Sequence, residues 1–332
     1  MSKTLSLAAA AGLALIVALI AWQGFGAVAE AFASAGAGAA IVVLLRVVQV
    51  AGAGLAWRVL LPASAAVSLT TCVLLRWVRE SINTLLPVAQ VGGDLIGARL
   101  LKRPTIDGGL AGASILVDLL TQTATQVVFS LAGLAVLIAH GRGDGLVHII
   151  GGGLALMSVA TVGFFAAQRF GGFHFIERGL MKLAETPAWS KLASVKNLHD
   201  SLQVLHDDNG RMAASFLVHL VIWFVGVLEI YVALDYMGYP VGLGPALVVE
   251  SLGHAARAAG FLIPGALGVQ EGGFIALCAL YGIPAPAAIA LSLVKRVPEI
   301  VLGLPGLVYW HRLEARRPRD AAAAEAPADS TP

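Results

Sequence analysis

Predominantly apolar runs as long as a membrane span occupy 5–22, 37–61, 108–140, 147–167, 210–236 and 284–310. A bilayer core about 30 Å thick takes around 20 helical residues, so each run predicts a transmembrane helix, six in all. Two further apolar stretches, 66–101 and 243–283, are interrupted near the middle. The first carries Leu86-Pro87 and Gly92-Gly93, the second Ile263-Pro264-Gly265 and Gly268. Proline removes a backbone donor and glycine weakens a helix, so at membrane depth such a break needs protein or a polar cavity against it. Each stretch predicts a re-entrant hairpin of two half-helices, with Pro87, Gly92, Gly93, Pro264, Gly265 and Gly268 as the break residues. The fold class is an all-α polytopic membrane protein.

Composition agrees with the pattern. Of 332 residues, 58% are apolar and 13% charged, against roughly 25% charged in soluble domains; this excludes nucleic-acid-binding and disulfide-scaffold classes. Lys and Arg accumulate in cytoplasmic loops. They cluster here at Lys3, Arg58, Lys102-Arg103, the 168–211 loop and the tail from Arg312 to Arg319, whereas Arg142 alone falls in an opposite loop. The expected topology is N-in and C-in in a bacterial inner membrane, with the first hairpin entering from the cytoplasm and the second from the other face. Segment 5–22, followed by Ala-Val-Ala-Glu-Ala-Phe-Ala at 27–33, also admits a signal-peptide reading, but it is long for a signal's apolar region.

The expected organisation is one transmembrane domain, 1–312, with repeat halves 37–167 and 210–310. A cytoplasmic amphipathic insert occupies 168–209, and 313–332 is a disordered tail. Within the insert, Phe173, Ile176, Leu180 and Leu183, then Leu192, Val195, Leu198, Leu202 and Leu205, follow a helical period. That face either packs on the bundle or lies on the membrane surface. Comparing the two broken stretches at an offset of 177 places Pro87 on Pro264, Asp94 on Glu271, Leu100 on Leu277 and Asp118 on Lys295. Three spans lie between the hairpins, so the copies have opposite orientation, the inverted-repeat plan of many secondary transporters.

An ionisable group at the bilayer centre costs about 2.5–3.5 kcal/mol on insertion scales, yet the apolar segments contain many. Arg76, Arg79, Glu80 and Asn83 share one helix face, as do Asp118, Gln122 and Gln126. Gln49, Glu229, Glu250 and His254 add to the intramembrane polar set. Two readings stay open: structural ion pairs that lock the hairpins, or a hydrophilic groove for a lipid headgroup. The candidate groove residues are Arg46, Arg79, Glu80, Asn83, Asp94, Asp118, Arg257, Glu271, Lys295, Arg296 and Glu299. Asp94 and Glu271 lead because each follows its break by the same interval. Arg76, Arg99 and Glu250 are weaker candidates, placed to snorkel toward an interface. No nucleotide, zinc-protease or serine-hydrolase motif occurs, and Cys72 and Cys278 read as buried thiols, so neither a catalytic set, a metal nor a cofactor is expected. His140, His148, His199 and His206 are expected at solvated or interfacial positions.

The stretch Arg79-Glu80-Ser81-Ile82-Asn83-Thr84-Leu85-Leu86-Pro87-Val88-Ala89-Gln90-Val91-Gly92-Gly93-Asp94 resembles the N-x-x-L-P-x-x-x-G-G-[D/E] motif of the lysylphosphatidylglycerol synthase transmembrane-domain family, also called flippase-like integral membrane proteins. Pro264-Gly265-Ala266-Leu267-Gly268-Val269-Gln270-Glu271-Gly272, then Lys295-Arg296 and Glu299, is similar to the family's later P-G-G-x-G-x-x-E and Arg-containing elements, with Ala266 replacing a glycine. Within the family, the wording is most similar to the hopanoid-biosynthesis branch. Two-part members also carry a soluble aminoacyl-transferase domain, which this sequence does not contain. The resemblance therefore implies lipid translocation or trafficking, of hopanoids or another lipid of that pathway, and not lysyl transfer. Membrane lipids are the expected partners, with lipid-synthesis enzymes at the cytoplasmic face and no nucleic acid. The rival readings are a headgroup-modifying membrane enzyme and a scaffold that recruits soluble enzymes through the 168–211 loop.

Overall fold

The computed structural model describes residues 25–86, 92–102, 106–141, 144–170, 197–260, 266 and 268–325. Eleven helices run through them: α1 Phe25–Ser34, α2 Gly36–Leu60, α3 Leu69–Leu85, α4 Gly92–Leu101, α5 Gly108–Ala139, α6 Asp144–Arg169, α7 Leu198–Asp207, α8 Asn209–Tyr236, α9 Leu243–Ala259, α10 Val269–Ala279 and α11 Ala285–Glu325. Side-chain caps mark several starts. Ser68 accepts from the Thr71 amide at 3.1 Å, Asp107 from Leu110 at 2.7 Å and Asp208 from Arg211 at 3.0 Å, each satisfying a backbone donor that the helix leaves open.

Four helices, α2, α5, α6 (from Val147) and α8, are long and apolar enough to cross a membrane. They correspond to four of the six expected spans, and the chain is a polytopic all-α membrane protein. The fifth, 284–310, lies within α11, whose Lys295, Arg296 and Glu299 interrupt its apolar character. Segment 5–22 lies outside the described residues. Span α6 presents Ile149, Leu156, Val159 and Val162 outward, as a lipid-facing helix does.

Both broken stretches are helical hairpins: α3 packs on α4, and α9 on α10. Helices α4 and α10 begin at Gly92 and Val269, and α5 and α11 at Gly108 and Ala285, which keeps the 177-residue offset. Helices α3 and α9 start at Leu69 and Leu243 and end at Leu85 and Ala259, an offset of 174. The second break is therefore longer by three residues.

The halves α2–α5 and α8–α11 pack as an inverted pair. Helices α2 and α8 cross antiparallel: Gly38 lies against Tyr236, Arg46 against Glu229 and Gly52 against Ile222. Helix α3 lies antiparallel on α11, with Trp77 stacked on Tyr309, Ser81 against Gly306 and Leu85 against Gly303. Its counterpart α9 lies in the same way on α5, where Gly133 meets Ser251 and Gln126 reaches the His254 carbonyl. Each hairpin is thus clasped by the last helix of the opposite half. The apolar core spreads between the halves, around Phe129, Leu234, Val249 and Phe274 in one cluster and Trp57, Ile82 and Leu101 in another.

The last helix continues through 313–325, where a disordered tail was expected; residues 326–332 lie outside the described set. At the end of the 168–209 insert, α7 buries Leu198, Leu202 and Leu205 against Leu60, Ala113 and Val117, so its apolar face serves the bundle. The earlier part of the insert, 171–196, lies outside the described residues. His206, expected at a solvated position, is buried there instead. Its Nε2 lies 3.0 Å from Gln168 Oε1, while Gln168 Nε2 donates to the Leu116 carbonyl at 3.1 Å. Cys72 and Cys278 are buried thiols outside any disulfide, as expected.

A side chain at Gly54 would drive its Cβ to 2.6 Å from the Val73 Cα. Overpacking of this kind costs about 1–3 kcal/mol. Gly54→Val is expected to lower the temperature at which half the protein survives heating in detergent, whereas Gly153→Ala, with open space around it, leaves that midpoint unchanged. The His206 ring gives a pH signature. Burial holds it below the ordinary histidine range and the Arg169 guanidinium adds to this, against an opposing pull from Asp207. The folded state prefers the neutral ring, so the contribution is present above about pH 6.5 and is lost as pH falls below it. After correction for the intrinsic rate, which itself slows as pH falls, backbone amides of α7 should be less protected from hydrogen exchange at pH 5.5 than at 7.5, and His206→Gln should remove the difference.

Candidate functional site

The polar face of α3 turns inward because its alternative is lipid. There Arg79 donates through Nε and Nη2 to Asp94 Oδ1 at 2.9 and 2.7 Å, with Trp57 beneath its guanidinium at 4.8 Å. Asn83 completes the clamp: its amide donates to Asp94 Oδ2 at 3.0 Å, and its oxygen accepts from the Gly93 amide at 2.7 Å. Gly93 must lack a side chain, since a Cβ would lie 2.1 Å from the Arg79 carbonyl. The motif around the first break is thus a lock that ties α4 to α3.

The second hairpin has an analogous lock with other partners. Glu271 accepts from the Gly268 amide at 2.7 Å, from Ser292 Oγ at 2.9 Å and from Arg296 Nε and Nη2 at 2.9 and 2.8 Å. Gly268 adopts a positive φ of 83°. Ala266, where the family motif has glycine, takes the left-handed conformation at φ 48°, so the turn is kept at a backbone cost of about 1–2 kcal/mol.

Asp118 on α5 joins three elements. Its Oδ2 accepts from Arg76 Nη1 at 2.9 Å and faces Arg79 Nη1 at 3.0 Å; its Oδ1 lies 3.0 Å from His219 Nε2 on α8. Arg76 also donates to Glu80 at 2.8 Å and Gln122 at 3.1 Å. In the other half, Lys295 on α11 pairs with Glu250 at 2.5 Å and Glu229 at 2.9 Å. Glu229 in turn receives Arg46 at 3.3 Å, and Glu250 lies 3.1 Å from His254. Arg257 donates to Glu299 at 2.6 Å and to Gln270 at 2.8 Å.

The pairs Arg76–Asp118 and Glu250–Lys295 are the same pair in the two halves. Arg76 and Glu250 are 174 residues apart, the offset of α3 and α9, and Asp118 and Lys295 are 177 apart, the offset of α5 and α11. The position is kept and the sign is exchanged.

Between the halves lies a cavity of about 380 Å³. Its polar lining comes from α2 (Arg46, Gln49), α3 (Arg76, Arg79, Glu80, Asn83), α4 (Asp94), α5 (Gln122, Gln126), α8 (His219), α9 (His254, Arg257) and α11 (Glu299), with Trp223 on its apolar side. Of the candidates from sequence, Arg46, Arg79, Glu80, Asn83, Asp94, Arg257 and Glu299 line this space. Asp118, Glu271, Lys295 and Arg296 hold its wall from behind, and Lys295 borders a small adjoining recess with Arg46 and Arg257. Gly92, Gly93 and Gly268 stand at the breaks, while Pro87, Pro264 and Gly265 lie outside the described residues. Arg76 and Glu250 are buried members of the network and do not snorkel; Arg99 does sit at the edge, paired with Glu314. His219, Trp223 and Trp57 are absent from the sequence reading. Among the described residues no group of three or more His, Cys, Asp and Glu is placed to hold a metal.

Inverted helical repeats that clasp a charged interior cavity define a polytopic membrane protein with a polar site at membrane depth. The family model for the lysylphosphatidylglycerol synthase transmembrane region matches residues 9–306. The chain belongs to that family, whose name places it among membrane proteins of lipid-related processes. No curated protein and no solved structure matches the chain.

The network yields a stability test. Lys295→Met leaves Glu229 with Arg46 alone and Glu250 with only a histidine, and breaking a buried pair in this way costs about 3–5 kcal/mol. Adding Glu250→Gln removes one orphaned charge. The double variant is expected to be more heat-resistant in detergent than Lys295→Met alone, and equal or lower resistance would show that the pair does not act as a unit.

Proposed function

We propose that this protein moves a membrane lipid in the manner of a flippase, its headgroup passing through the charged cavity while the acyl or polycyclic tail stays in the bilayer. The observation that carries this reading is the cavity itself: a charged space lined by both inverted halves, in a chain whose described spans expose many large apolar side chains. Its volume falls in the range of small-ligand sites, about 300–1,000 Å³. The lining offers guanidinium and carboxamide donors alongside carboxylate acceptors, which suits phosphate or hydroxyl oxygens of a headgroup. Resemblance to the hopanoid-linked branch supports a hopanoid, or another lipid of that pathway, as cargo. In this reading the protein sits in a bacterial inner membrane with both termini cytoplasmic, catalyses no bond-making and works with lipid-synthesis enzymes at that face.

The test is lipid analysis of a deletion strain and an Asp94→Asn strain, quantifying each lipid in inner and outer membranes and in whole cells. The expected outcome is an unchanged whole-cell inventory with one lipid class redistributed between membranes. Disappearance of one species from the total would point to a headgroup-modifying enzyme. A normal distribution in Asp94→Asn, with the protein folded and abundant, would remove the cavity from the mechanism.

A further inference from the structure

Four arginines line the cavity, and their nitrogens are used unequally. On α3, Arg76 gives Nε to Glu80, Nη1 to Asp118 and Nη2 to Gln122, while Arg79 gives Nε and Nη2 to Asp94 and turns Nη1 to Asp118. Those two are saturated. On α2 and α9 the described residues engage one nitrogen of each guanidinium: Arg46 donates through Nη2 to Glu229 at 3.3 Å, and Arg257 through Nη1 to Glu299 and Gln270. The Arg46 Nε is buried with no acceptor among the described residues, a costly state for a charged donor. Both side chains are 21% exposed and so within reach of the cavity. Both also border the adjoining recess of about 10 Å³, the room that one water-sized oxygen takes. Arg46, His254, Arg257, Gln270 and Lys295 supply its polar lining, and among the described residues no carboxylate borders it. The carboxylates that balance these cations stand elsewhere: Glu229 and Glu250 are buried against Lys295, and Glu299 borders the larger cavity.

We infer that Arg46 and Arg257 form an oxyanion subsite, in which a phosphate-type group accepts from their remaining N–H groups and places one oxygen in the recess beside Lys295. A guanidinium presents several donors in a fixed plane that matches phosphate oxygens, and its charge makes a stronger hydrogen bond to an oxyanion than to a neutral hydroxyl. Each cation keeps a carboxylate of its own, so the surrounding set is neutral as it stands. Arg46 and Lys295 pair with Glu229 and Glu250, and Arg257 and Arg296 with Glu271 and Glu299. A neutral set does not trap an anion. The ligand gains directed hydrogen bonds on entry and can leave again, as a conduit requires. That the oxyanion belongs to a lipid headgroup rests on the proposed lipid movement; the subsite itself does not. On that reading the cargo carries a phosphate, and a headgroup of hydroxyls alone lacks the group that these donors suit.

The experiment measures binding of ³²P-labelled dioctanoyl phosphatidic acid to the full-length protein in dodecyl maltoside, with unlabelled phosphatidic acid, inorganic phosphate and dioctanoylglycerol as competitors. Dioctanoylglycerol has the same tails without the phosphate, and inorganic phosphate has the oxyanion without the tails. Saturable binding is expected, displaced by unlabelled phosphatidic acid and, at higher concentration, by inorganic phosphate, but not by dioctanoylglycerol. Arg46→Gln and Arg257→Gln are each expected to weaken it about tenfold or more, the loss that removal of a charged hydrogen bond brings. Arg312→Gln, at an exposed cation away from the cavity, leaves it unchanged. If either arginine variant does not fold, Gln270→Glu keeps every cation and puts a carboxylate at the recess, and it too is expected to weaken binding. Absence of saturable binding, displacement by dioctanoylglycerol as strong as by phosphatidic acid, undiminished binding in the recess variants, or an equal loss in Arg312→Gln overturns the subsite. Inorganic phosphate that binds as tightly as the lipid keeps the subsite and removes a lipid as the source of its ligand. If Asp94→Asn redistributes no lipid while phosphatidic acid binds through Arg46 and Arg257, the lipid movement fails and the subsite stands. If Asp94→Asn redistributes a lipid without phosphate and phosphatidic acid does not bind, the movement stands and the subsite fails.

Discussion

A charge held away from water stays affordable only while an opposite charge and satisfied hydrogen bonds sit against it. Nearly every long-range feature of this protein follows from that constraint. Asp118 draws α3 and α8 onto α5; Lys295 draws α8 and α9 onto α11; Asp94 and Glu271 fasten the half-helices of their hairpins. Apolar packing between helices surrounded by lipid discriminates poorly among orientations, because lipid tails are as apolar as leucine. Ion pairs and close glycine crossings supply the missing specificity. The glycines at 38, 52 and 54 let backbones approach, and the charges fix which helix approaches which.

The inverted symmetry gives the same constraint a second expression. Arg76–Asp118 and Glu250–Lys295 occupy equivalent places with opposite polarity. Burial penalises net charge and does not distinguish which partner carries which sign, so either arrangement satisfies the geometry. The exchange has a consequence for the cavity, however. The α3 side becomes a cluster with an excess carboxylate, while the α9 side is neutral with Arg46 at its cavity edge, so two structurally equivalent walls present different electrostatic faces.

Much of this was legible in the sequence, because charge inside apolar runs is conspicuous and proline-glycine breaks punctuate helices. The match of Asp94 to Glu271 marked two real locks at equivalent positions. The 177-residue offset holds for α4 and α5 but slips to 174 for α3, since the second break is longer. That slip concealed the equivalence of Arg76 and Glu250 and left both assigned to an interface. His219 escaped notice for another reason. It stands alone on α8 among apolar neighbours, and its partner Asp118 is about 100 residues away in sequence. A polar residue flanked by Leu217, Val218, Leu220 and Val221 was the available signal. His206 was misplaced because an amphipathic helix beside a membrane looks the same whether its apolar face meets lipid or protein; contact with Gln168, on a different helix, decides it.

The pairing also limits how the protein moves. Alternating access in inverted-repeat transporters proceeds largely by rocking one bundle against the other around a fixed site. Here each hairpin is locked internally and also clasped by the last helix of the opposite half: α3 by α11, α9 by α5. Separating a hairpin from its clasp would pull Trp77 from the Leu302 carbonyl and part the solvent-facing Arg99–Glu314 pair, or pull Ser130 from the Ser251 carbonyl. Separating α3 from α5, or α9 from α11, would instead part Arg76 from Asp118 or Glu250 from Lys295, several-fold dearer for each pair. The strongest charge pairs therefore fall within α3–α4–α5 and within α9–α10–α11, while the packing of α3 on α11 and of α9 on α5 joins the two groups. The cavity lies between these two groups and is lined by both.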